Sequence, residues 1–152
     1  MKAIWLAAPF VVGLVVALHF SMNAAIGKIV ENPRMANALF WVIGATVAVL
    51  IGLSGWDHAF WARARTVPNW LWFAGVLGVC IVFAVIFFIP RLGAGTTHVI
   101  LLTGQVIGGA LIAHYGLLGS PVVPFTPVRV VGLILMMAGA SIAVMGRIPF
   151  FR

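Results

Sequence analysis

His19 and Asn23 lie four residues apart inside a long apolar run, so they share one face of any helix that forms there. Gln105 sits near the centre of another apolar run, seven residues after His98 and therefore on the same face as it. An amide or imidazole at the middle of a bilayer is costly unless it is paired or wetted. Two kinds of chemistry follow. As glue between helices, such groups contribute about 0.6–2 kcal/mol each. As the lining of a cavity, His19, Asn23 and Gln105 would hydrogen-bond a solute, with Phe20, Trp41 and Trp72 as apolar and aromatic wall. His98 and His114 fall nearer the ends of their run and read as interfacial. His19 is the ionisable group nearest a midplane, which makes it the candidate for proton coupling. Glu31 and Asp57 are the two acidic residues, and both fall at the ends of apolar runs. With no carboxylate inside a run, a neutral, zwitterionic or anionic solute is easier to hold than a permanent cation, which would depend on amides and on aromatic faces such as Trp41 and Trp72. No Ser-His-Asp set, HExxH or nucleotide-binding loop is present, so no familiar enzyme chemistry is expected. The single Cys80 has no disulfide or metal-ligand companion, and no cofactor or metal is expected.

The elements that must position these residues are transmembrane helices. The chain of 152 residues is 64% hydrophobic and 7% charged, far below the roughly 25% charged residues of a soluble domain. A helix needs about 20 residues to cross the hydrocarbon. Five segments qualify, at about 3–27, 35–54, 69–89, 94–115 and 127–145, forming one five-helix domain over 1–152. The first is too long for the hydrophobic region of a signal peptide and reads as a retained helix. Asn32-Pro33 marks a turn, and Pro90-Arg91 is expected to stop the third helix. The stretch "GWDHAFWARARTVPNW" is the longest polar connection, with room for a short interfacial helix. Its Trp56, Trp61 and Trp70 fit an aromatic belt, and Arg63 and Arg65 fit lipid phosphate. "GLLGSPVVPFTPV" is expected to be a fixed, non-helical link. Gly104, Gly108 and Gly109, and Gly132 with Gly139, form small faces suited to helix packing or a dimer contact. The connections are too short to hold a soluble active site, and the basic residues are too scattered for nucleic acid. Membrane lipid is the expected partner of those charges.

Lys and Arg in short loops set orientation. With five spans, Lys2, Arg63, Arg65 and Arg129 gather on one side, and Lys28, Arg34, Arg91, Arg147 and Arg152 on the other. Four against five scarcely selects a direction. The count predicts copies inserted both ways, which could pair antiparallel and build an inverted repeat from one chain.

The strings "MNAAIGK", "IPRLGAG" and "GQVIGGALIAHYGLLG", followed by a Pro-rich link and a glycine-bearing last helix, resemble the YdcZ family of the drug/metabolite transporter superfamily. The resemblance covers nearly the whole chain. It implies five helices per chain in the bacterial inner membrane, with dual-topology members and paired halves of opposite orientation. The superfamily implies a ten-helix assembly, here an antiparallel homodimer, that exports or exchanges small solutes. Analogy with the small multidrug resistance branch implies alternating access. Asn23, Pro90, Gly93, Gly104 and Gln105 match the family pattern. His19 stands where Gln is expected, and Ala113-His114 where an acid is expected before the aromatic-Gly pair.

The sequence therefore points to a secondary transporter of a small metabolite or drug-like solute. A channel-like pore would need a continuous polar stripe, which Leu101, Leu102 and Ile112 interrupt. A non-transporting membrane partner or assembly protein would need a surface outside the membrane.

Overall fold

The computed structural model describes residues 2–146, with side chains from residue 7 onward. The Lys2 side chain, Arg147 and Arg152, used in the charge count, lie outside the described residues. The described chain is helical throughout: α1 (Lys2–Ile29), α2 (Pro33–Ser54), a short α3 (Phe60–Ala64), a 3-10 turn (Asn69–Trp72), α4 (Phe73–Leu92), α5 (Ala94–Tyr115), a second 3-10 turn (Leu117–Gly119) and α6 (Pro127–Met145). Five segments are long and apolar enough to cross a membrane: Ala7–Ile29, Pro33–Ser54, Asn69–Leu92, Ala94–Tyr115 and Pro127–Met145. Helix is the required answer to such a sequence in lipid, because each backbone N–H and C=O must be satisfied within its own segment.

The chain divides into two compact units, Met1–Arg91 and Leu92–Arg152. In the first, α1 and α2 form a hairpin. Val30 and Glu31 close the α1 end with N–H bonds to Ile26 O at 3.0 Å and Lys28 O at 3.4 Å. Glu31 makes the reversal at a left-handed φ of 52°. Asn32 then caps α2, its side-chain oxygen accepting from Met35 N–H, and Pro33 takes the first helical position. α4 joins this hairpin through small residues. A Cβ at Gly27 would lie 3.0 Å from Ile86 Cγ2, and one at Gly78 would lie 3.4 Å from the Trp41 ring. The buried apolar side chains among the described residues are Phe20, Ala24, Ala36, Val82, Val85 and Ile86, all from this unit. Most other span residues are exposed, as lipid-facing residues are. The link between α2 and α4 is organised by Asp57, which accepts from Ala59 N–H at 2.8 Å and pairs with Arg63.

α4 runs past the stop expected at Pro90-Arg91 and ends at Leu92. Proline in a last turn removes one hydrogen bond without breaking a helix already formed, and Arg91 Nη1 donates to Phe87 O at 2.7 Å, occupying one of the terminal carbonyls.

In the second unit α5 packs on α6. α5 ends at Gly116, which has φ 62°, and a Cβ there would meet Val122 Cγ2 at 2.6 Å. The link that follows is a 3-10 turn and then extended chain. It is tied to the end of α5 by Val123 N–H to Ala113 O at 2.8 Å and by Phe125 N–H to His114 Nδ1 at 3.0 Å. Thr126 caps α6 by accepting from Arg129 N–H. His114, expected at the interface as an unassigned polar residue, is thus the acceptor that holds the link.

Candidate functional site

α1 presents His19 and Asn23 on one face, and α2 presents Asn37 and Trp41 four residues apart on one of its own. Asn23 is 1% exposed, and neither its side-chain oxygen nor its nitrogen has a hydrogen-bond partner among the described residues. Asn37 is buried with its side-chain oxygen unpartnered, and the half-buried Trp41 has an unpartnered Nε1. A buried polar group left this way costs about 1–3 kcal/mol. An amide offers two donors and an oxygen acceptor, and an indole one donor. Together these residues present both donors and acceptors inside an otherwise apolar unit. Asn23, which lines a cavity, by itself offers both donors and an acceptor to a small solute.

His19 is half-buried, with ring centroids 4.9 Å from Phe40 and 5.2 Å from Phe20. The Phe40 contact is edge-on, at an interplanar angle of 71°, and Phe40 in turn meets Trp41 edge-on at 5.7 Å. A cavity of about 210 Å³ on the α1–α2 seam touches both His19 and Asn23, with Phe40 beside them. The structure therefore brings His19, Phe20, Asn23 and Trp41 into one unit. Trp72 stands apart in the 3-10 turn before α4, 58% exposed. Gln105 belongs to α5, in the second unit, with an exposed side chain. α5 is less polar in effect than in composition, because the Thr97 and Thr103 hydroxyls donate at 2.8 Å to the carbonyls four residues back.

Asn37 was not singled out in the sequence, where an asparagine about one turn into a span reads as interfacial. Its signal was the four-residue spacing to Trp41, the same spacing that marked His19 and Asn23. The glycines that come closest to another helix are Gly27 and Gly78. No atom of the described chain beyond its own helix lies within 4 Å of a Cβ built at Gly104, Gly108, Gly109, Gly132 or Gly139.

The model of a family described as "Putative inner membrane exporter, YdcZ" matches residues 4–142. The chain belongs to the YdcZ family. No curated protein and no solved structure matches it. Together with five membrane-length helices, membership makes this a multi-pass inner membrane protein of an exporter family. That family is a class of transporters and not a class of enzymes.

Proposed function

We propose that this YdcZ-family chain is a secondary-active exporter or exchanger of a small metabolite or drug-like solute. It works by alternating access as an antiparallel homodimer. The observation that carries the reading is the Asn23 amide, buried and unpartnered at both polar atoms on the face it shares with His19. An unsatisfied amide in an apolar interior suits a site that a hydrogen-bonding solute or water enters and leaves, and it suits glue poorly. Asn37 and Trp41 Nε1, on α2 of the same unit, are further unpartnered polar groups. Phe20 adds apolar wall, His19 is the group that could carry a proton, and Gln105 and Trp72 contribute to the solute path. Two supports favour the dimer. The Lys/Arg count is nearly balanced across the membrane. With six apolar side chains buried among the described residues, ample helical surface is left for a second copy, and no described atom beyond its own helix lies within 4 Å of a Cβ built at Gly104, Gly108, Gly109, Gly132 or Gly139 of α5 and α6.

The test compares cells expressing the wild type, Asn23→Ala or Asn37→Ala at equal protein levels. Small-solute pools inside and outside are profiled by mass spectrometry. Wild type should move a small set of solutes from the inner to the outer pool, and both variants should lose the shift while remaining folded. No shift in the wild type, or an unaltered shift in both variants, contradicts the reading.

A further inference from the structure

A cavity of about 550 Å³ in the first unit lies beyond Asn23 along α1, at the membrane end where the α1–α2 turn meets the last turn of α4. Its rim carries Lys28, Arg34 and Arg91 against one carboxylate, Glu31. Glu31 forms no ion pair with any of them among the described residues, so the rim keeps an excess of two positive charges. Lys28 and Arg91 sit in the last turns of α1 and α4, where the helix dipole favours cations. Arg34 does not. It lies in the first turn of α2, which contains no acidic residue, at the positive end of that helix's dipole. A cation placed there adds to a positive field instead of cancelling a negative one. Arg91 is held in place, its guanidinium 3.4 Å above the Phe87 ring and one nitrogen bonded to Phe87 O. Its remaining N–H groups are still able to donate. Behind the rim the wall turns apolar, with Ala24, Phe83, Ile86 and Phe87.

A positive rim over an apolar wall at a membrane boundary fits an amphiphile with an anionic head. We propose that this cavity binds a phosphoryl anion through Lys28, Arg34 and Arg91, carried by an anionic phospholipid whose chains run along the apolar wall. The site shares no lining residue with the cavity at His19 and Asn23 and stands whether or not that cavity serves transport. Guanidinium and ammonium groups are the natural ligands of phosphate oxygens. Glu31, the one opposing charge, disfavours a carrier with several negative groups and leaves a single phosphodiester as the best fit.

The purified full chain, in neutral detergent, is melted with dioctanoyl-phosphatidylglycerol, dioctanoyl-phosphatidylcholine or glycerol 3-phosphate. Wild type should be stabilised by the phosphatidylglycerol far more than by the phosphatidylcholine. Arg34→Gln should weaken the apparent affinity about tenfold, the loss of one charge-assisted contact. Lys28→Gln should do likewise and carries the comparison if Arg34→Gln fails to fold. Arg129→Gln, which removes the same charge from the first turn of α6, should keep wild-type affinity. Equal stabilisation by glycerol 3-phosphate would support the phosphoryl site and reassign its source to a free phosphate. Equal stabilisation by the two lipids, or an equal loss in Arg129→Gln, would overturn the proposal.

Discussion

At the scale of the residue, Asn23 separates solute lining from structural glue. Leucine has nearly the shape of asparagine and no polar atoms. Replacing a satisfied amide costs stability, whereas replacing an unsatisfied buried one removes a desolvation penalty of about 1–3 kcal/mol. Asn23→Leu should therefore melt at or above the wild-type temperature in detergent while solute export is lost. A clear drop in melting temperature would show that the amide is paired and holds helices together. The His19–Asn23 spacing was legible in the sequence because a polar pair one turn apart inside an apolar run stands out. Asn37 was not, because near the start of α2 a lone asparagine looks like an interfacial residue, and only packing shows that it is buried. The threonines of α5 are a different case. They make α5 polar in composition, yet hydroxyls in helices turn to their own backbone.

At the scale of the element, the five spans were legible since length and apolar content alone decide whether a helix can cross lipid. The short helix between α2 and α4 followed from the aromatic and basic pattern of that connection. The end of α4 did not, since the cost of Pro90 depends on whether the carbonyls of the last turn find other donors. Packing glycines were harder still. The Gly104–Gly108 spacing resembles a helix contact, but the close approach in the first unit is made by Gly27, whose neighbour in space lies far away in sequence. Gly27→Ala places its Cβ against Ile86 Cγ2 at 3.0 Å. A β-branched side chain in a helix has little rotamer freedom with which to retreat. The substitution should cost about 1–3 kcal/mol by thermal melting, and Ile86→Ala should cost less in that chain than in the wild type, because it also relieves the clash. Full stability of Gly27→Ala alone would mean that α4 shifts easily against α1. Gly116→Ala should destabilise as well. It forces a left-handed φ on alanine, at about 1–2 kcal/mol, and drives a methyl into Val122. Amide exchange at Val123 and Phe125 should rise with it, since their bonds to Ala113 and His114 depend on that turn. Unchanged exchange there would show that the link is held by other contacts.

At the scale of the whole molecule, the account depends on direction of insertion. A chain with four basic residues on one side and five on the other has little electrostatic reason to prefer either. An antiparallel pair requires both orientations, and two added cations on one side should be enough to abolish it. Ile29→Lys with Leu92→Lys, both exposed and both on the side that already carries five, should commit the population to one direction and end export by the chain expressed alone. The most direct measurement is labelling of a single cysteine. In a Cys80→Ala chain that also carries Val122→Cys, in the exposed link between α5 and α6, spheroplasts are treated with a membrane-impermeant maleimide before and after permeabilisation. Dual orientation predicts that about half of the molecules react at first and the remainder only once the membrane is opened. Reaction of all molecules, or of none, before permeabilisation would contradict the self-paired dimer.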